Sequence, residues 1–241
     1  MFKYKGIDIN YKDYGEGSVL VFLHGWGQNI EMMEMLALPL SKNYRVILID
    51  LPGFGKSTEP LEVFSLSDYA LMINELLLSL NVSNPTLIGH SFGGKISLVY
   101  ASLFETSKLI LFAPPFRVKK RKLTFKEKLF RLLVKIPNFK FIKNFIKRHV
   151  GSIDYRNASF MMRKILVKHV NTDITDIVSS ISIPTLIVWG SMDKAVSYMD
   201  ALLLNKLIKN SRLVTFFNST HYAYLENLDR TILLMQKFLV S

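Results

Sequence analysis

From Val19 onward, short uninterrupted apolar runs alternate with stretches patterned at helical spacing, and this alternation admits few folds. Val19–Leu23, Val46–Ile49, Thr86–Gly89, Leu109–Phe112, Pro184–Trp189 and Leu213–Phe217 are too short for buried helices and carry no polar alternation. They read as strands covered on both faces, which is the signature of a parallel sheet between two helical layers. Helices fall between them at Met32–Leu40, Leu66–Leu80, Gly94–Phe104, Tyr198–Ile208 and Leu225–Leu239. The second of these opens at Ser65 or Ser67 as N-cap and sets Tyr69, Ile73, Leu76, Leu77 and Leu80 on one face. The residues before Val19, with Gly15-Glu16-Gly17 as a turn, add an antiparallel edge hairpin.

The pattern is interrupted once. Between Phe112 and Pro184 lie about 70 residues, far more than a crossover needs. The core is therefore discontinuous, 1–112 and 184–241, with 171–183 returning to it through a helix around Thr172–Ile181. Residues 113–170 form an inserted helical lid, and charge singles that insertion out. Between Arg117 and Val170 there are 17 Lys and Arg against two acids, a balance of +15, while the rest of the chain stands at −3. Phe125, Leu129, Leu132, Leu133 and Ile136 repeat at helical spacing up to Pro137, and Phe141, Ile142, Phe145 and Ile146 follow among lysines. No apolar run approaches the roughly 18–20 residues of a membrane span. The absence of cysteine excludes disulfides, thiolate metal sites and a cysteine nucleophile. The N-terminal residues show no signal-peptide pattern, so the expectation is a cytoplasmic protein.

Gly89-His90-Ser91-Phe92-Gly93 sits where a strand meets a helix. A serine there lies on a sharp strained turn that lifts Oγ above the sheet and leaves the Phe92 N–H free at a helix N-terminus. A serine nucleophile needs a base, an acid that orients the base, and donors for the oxyanion. Carboxyl ends of parallel strands share one edge, so the partners belong in loops after strands. Of five histidines, His90 and His24 have local roles and His149 and His169 fall in the basic insertion. His221 follows a strand directly and is the expected base. Asp193, four residues past Trp189, is the expected acid. Asp173 and Asp176 precede a strand and are assigned to the opposite edge. The turn His24-Gly25-Trp26-Gly27 supplies the second oxyanion donor, the Trp26 N–H, beside that of Phe92.

His24–Gly27, Asp50–Ser57, Gly89–Gly94, Trp189–Asp193 and His221 together resemble the α/β-hydrolase superfamily along nearly the whole chain. The first two blocks look especially like pimeloyl-acyl-carrier-protein methyl ester esterases, and meta-cleavage C–C bond hydrolases share the framework. Asp193 lacks the proline that commonly follows, and no glycine directly precedes His221. The resemblance implies an α/β-hydrolase fold, a mostly parallel doubly wound sheet with an inserted lid. It also implies a cofactor-independent serine hydrolase, in first place a carboxylesterase acting on an acyl or aromatic small-molecule ester. C–C bond hydrolysis and a non-turnover, ligand-binding or membrane-associated protein are the other readings.

Two lookalikes are set aside. Gly53-Phe54-Gly55-Lys56-Ser57 resembles a phosphate loop, but Asp50 occupies its first glycine position. The acids and histidines show no metal-ligand spacing. Three occupants fit the basic insertion: a solvated lid face, an acidic acyl carrier protein, or an anionic membrane surface. Nucleic acid does not, because no recognition module accompanies the charge.

Overall fold

The computed structural model describes residues 1–118 and 153–240. Its centre is a seven-stranded sheet ordered β3-β5-β4-β6-β7-β8-β9. The strands are β3 (Tyr11–Tyr14), β4 (Val19–Leu23), β5 (Arg45–Ile49), β6 (Thr86–His90), β7 (Lys108–Phe112), β8 (Thr185–Gly190) and β9 (Ser211–Phe216). All neighbours are parallel except β3 and β5. Side chains alternate across a strand. Val21, Leu23, Leu87, Leu111 and Trp189 therefore pack on one face with α2 (Leu66–Ser79) and α3 (Phe92–Leu103). Leu20, Phe22, Ile88, Ile110 and Val188 pack on the other with α1 (Ile30–Leu40) and α9 (Leu228–Val240). The runs of β4 to β8 are apolar because both faces are buried, whereas β9 at the sheet edge is only partly covered, unlike the expectation for Leu213–Phe217.

The N-terminal strands depart from the expected hairpin. β1 (Phe2–Tyr4) and β2 (Ile7–Ile9) pair only with each other, and β3 enters the main sheet against β5 rather than β4. Gly15-Glu16-Gly17 thus joins two strands that are not neighbours. A Cβ on Gly15 would stand 2.3 Å from the Tyr44 carbonyl, so the turn straddles the chain entering β5. The C-terminal helix is also interrupted, into α8 (Ala223–Glu226) and α9. Asn227 lies between them and its amide donates to Ser219 Oγ at 2.9 Å, which draws the residue out of helical geometry.

Of the insertion, α4 (Ile153–Asn157) and α5 (Phe160–Val170) are described. Ser159 caps α5, and Met162 and Ile165 are buried in the core. The basic amphipathic segments expected at 125–136 and 141–146 lie outside the described residues. α6 (Thr175–Ser180) packs on α3 and carries the chain back to β8, and α7 (Tyr198–Leu207) follows β8. Among the described residues no helix is long and apolar enough to cross a membrane.

Candidate active site

Ser91 joins β6 to α3 with φ +48° and ψ −110°, a left-handed backbone that a residue with a side chain adopts at a cost. Its N–H donates to the Phe112 carbonyl at 2.8 Å and its carbonyl accepts from Lys95 N–H at 2.9 Å. The flanking glycines are sterically required. A Cβ at Gly93 would lie 2.2 Å from the Leu23 carbonyl oxygen, and one at Gly89 would lie 2.6 Å from Gly94. Phe92 is the first residue of α3, so its N–H has no intrahelical acceptor.

At the same edge, the loops after β8 and β9 are fastened to each other. Ser191 N–H donates to the Phe216 carbonyl and Met192 N–H to the Ser219 carbonyl. Glu226 accepts from both the N–H and the hydroxyl of Thr220. This places the Asp193 carboxylate, whose side chain is fully buried, 2.7 Å from His221 Nδ1. The other carboxylate oxygen accepts the Ala195 and Val196 N–H groups at 2.8 and 2.9 Å. Nδ1 of His221 is thereby committed to Asp193, leaving Nε2 for a proton from elsewhere.

Ser91, His221, Trp26 and Phe92 line one cavity of about 440 Å³. The Trp26 and Phe92 rings meet edge to face at 5.3 Å, so the two turns expected to carry oxyanion donors are in contact. Every residue the sequence nominated therefore lies at this site. His24 is local, as expected: Nδ1 donates to the Gly25 carbonyl at 2.7 Å and Nε2 accepts the Leu51 N–H at 2.9 Å. Burial lowers its pKa to about 4 and keeps it neutral.

Two residues of the cavity wall were not nominated. Lys95, one helical turn past Ser91, is buried and donates to the carbonyls of His169 and Thr172 at 2.8 and 2.5 Å. It pins the end of α5 to α3, and burial brings its pKa down to about 8. His169 packs its ring on Phe92 at 4.7 Å, and both ring nitrogens are buried with no hydrogen-bond partner among the described residues. Burial first, then the Lys95 and Lys168 charges, lower its pKa to about 3. A lone lysine on an otherwise small and apolar helix face was the available sequence signal for this contact.

The placement of Asp173 corrects the sequence argument. Thr172 meets Lys95 in the first turn of α3, and Asp173 accepts from Val118 N–H at 2.8 Å while Ile174 N–H donates to the Phe116 carbonyl at 2.8 Å. The segment is thus on the carboxyl side of the sheet, and α6 returns the chain to the other side before β8. Asp173 is occupied by the Val118 and Thr175 N–H groups, and the Thr175 side chain, followed by the Val118 N–H, holds its carboxyl below the usual range.

The alpha/beta hydrolase fold family matches residues 18–120. The AB hydrolase superfamily protein YisY of Bacillus subtilis is 28% identical over 256 residues, covering 96% of this chain and 95% of that protein. A pimeloyl-acyl-carrier-protein methyl ester esterase of Aliivibrio fischeri is 28% identical over 255 residues, with 96% and 97% covered. An esterase from Exiguobacterium antarcticum superposes with a TM-score of 0.77 at 26% identity, over 98% of this chain and 97% of that one. These likenesses support the assignment of the chain to the α/β-hydrolase superfamily. The relatives are esterase-like and support a hydrolase.

Proposed function

We propose that this hydrolase is a carboxylesterase with Ser91 as nucleophile, His221 as general base and acid, and Asp193 as the group that orients the imidazole. The observation that carries the reading is the 2.7 Å contact of His221 Nδ1 with the buried Asp193, in a cavity that also contains the strained Ser91. Ser91 Oγ adds to the ester carbonyl and its proton passes to His221 Nε2. The oxyanion is held by the N–H groups of Trp26 and Phe92. His221 returns the proton to the leaving alcohol, and the bond from carbonyl carbon to alkoxy oxygen breaks. Water then adds to the acyl-enzyme with His221 as base, releasing the acid and restoring Ser91.

The cavity wall of Phe92, Leu166 and Val170 suits an acyl or aromatic group. Delivery of that acyl group on an acidic carrier protein is part of the proposal. The +15 balance between Arg117 and Val170 supports it, as does the relative named for an acyl-carrier-protein ester.

Ser91→Ala should fold normally, escape labelling by a fluorophosphonate and lose ester turnover by about 10⁶-fold. Retention of most activity by the purified variant rules out this nucleophile. Cleavage of vinylogous diketones by wild-type protein that leaves a panel of simple esters untouched would replace the esterase reading with C–C bond hydrolysis.

A further inference from the structure

We propose that His90 is a positioning residue that braces the turn bearing the Trp26 N–H against the backbone of His221, holding one side or the other according to which ring nitrogen carries its proton. The role rests on the triad reading above. His90 is the last residue of β6, immediately before Ser91, and is 1% exposed. Its Nδ1 lies 3.1 Å from Gln28 Oε1, and its Nε2 lies 3.2 Å from the carbonyl oxygen of His221. One buried ring thus spans from the oxyanion turn to the base itself.

The donor count makes this more than a contact. Gln28 Oε1 already accepts the Gly25 N–H at 2.9 Å, so flipping the amide would set an NH₂ group against an N–H. Both nitrogens of His90 therefore face oxygen acceptors, and only an imidazolium donates to both. Burial, followed by the neighbouring His221, drives the His90 pKa well below its ordinary value, so the ring is neutral with a single N–H. With the proton on Nδ1, Gln28 receives two donors and the Gly25–Gln28 turn is fixed. With the proton on Nε2, the backbone of the base is fixed and the Gln28 side is a facing pair of acceptors.

The surroundings hold the ring in that bridging position. The rings of His221, Tyr222 and Tyr224 pack on it at 4.8, 5.4 and 4.8 Å. On the other side only glycine fits at position 25, where a Cβ would lie 2.8 Å from Nδ1 and 2.9 Å from Gln28 Oε1. His90 takes no part in moving the Ser91 proton, because its Nε2 is turned to the His221 carbonyl. It sets the separation between the oxyanion donor on the β4 loop and the base on the β9 loop. A misplacement of about 1 Å between such groups costs about a hundredfold in rate.

The experiment compares His90→Ala, His90→Asn and His90→Gln with wild type. Asparagine can place an amide donor near the Nδ1 position and glutamine one near the Nε2 position. His90→Ala should lower both kcat on a simple ester and the rate of fluorophosphonate labelling by about a hundredfold, with KM within about twofold. Each amide variant should recover part of the loss. In ¹⁵N spectra the wild-type His90 ring should show one protonated and one bare nitrogen. The backbone amides of Trp26 and Tyr222 should shift in His90→Ala. Native circular dichroism with wild-type kcat in His90→Ala overturns the proposal, as does a wild-type ring protonated at both nitrogens. If wild-type protein fails to label at Ser91, the esterase reading falls instead. The brace is then judged by the amide shifts alone, and their absence sinks it.

Discussion

Asp50 and Asp193 are both buried carboxylates on the carboxyl edge of the same sheet, yet their surroundings are opposite in kind. Asp50 accepts from Ile30 N–H, Lys56 N–H and the Asn10 amide at 2.7–2.9 Å, and Ser57 Oγ seals the loop onto its carbonyl. All of its partners are backbone or neutral groups. Asp193 gives one oxygen to its own loop and turns the other to an imidazole whose far nitrogen is the proposed proton acceptor. His24 and His221 repeat the contrast, one with both nitrogens occupied by backbone and the other with one nitrogen held by a carboxylate. In the proposed reading Asp50 and His24 are scaffold, and Asp193 and His221 carry the chemistry.

The largest effect should separate the two carboxylates by kind. In Asp193→Asn the side-chain oxygen stays with the Ala195 and Val196 N–H groups, so the amide NH₂ faces His221 and stabilises the wrong tautomer. Turnover should fall by about 10⁴-fold with melting temperature nearly unchanged. A loss below tenfold, with a severe one in Asp173→Asn, moves the acid to Asp173. Asp50→Ala should do the reverse. Three buried donors lose a charged acceptor, which costs about 4 kcal/mol in urea unfolding, while the remaining folded enzyme keeps kcat within about tenfold. Catalytic collapse without destabilisation would erase the contrast.

Acid extends the comparison to the histidines. His24 has a folded pKa of about 4 against 6.5 unfolded, so below pH 6.5 the unfolded chain binds more protons and stability falls on acidification. The loss from His24 should reach about 3 kcal/mol as pH drops from 7 to 4, and His169 should add to it in the same window. Urea midpoints that stay flat from pH 7 to 4 contradict a neutral, saturated His24. The smallest effect concerns Lys119, Lys120, Arg121 and Lys122, outside the described residues. Reversing their charge should raise KM about fivefold for a carrier-linked ester and leave a small neutral ester unaffected, a difference that high salt erases. An equal rise for esters presented on anionic vesicles would transfer the role to a membrane surface.

What the sequence disclosed follows the range of the interactions involved. Strand type, the elbow, and the placement of Asp193 and His221 after β8 and β9 depend on local patterns and on one rule about parallel strands. Strand order does not, and β5 slipped between β3 and β4 without any periodic signal. Asp173 was placed on the wrong side because the return helix expected around Thr172–Ile181 begins only at Thr175, so Asp173 stays on the carboxyl side and α6 makes the crossing after it. Lys95, His169 and Gln28 entered the site only through contacts across 62 to 77 residues.

The paired bonds from Val118 to Asp173 and from Ile174 to Phe116 bring the two ends of the inserted stretch together on the core. In polymer terms the loop is closed at its root, and lengthening a closed loop is cheap: each doubling costs only about 0.6 kcal/mol. Whatever lies between can be exchanged or resized with little thermodynamic resistance, provided that Met162 and Ile165 of α5 are replaced by equivalent apolar packing. Closure at the root thus separates the register of β7 and β8 from changes of length in the stretch between.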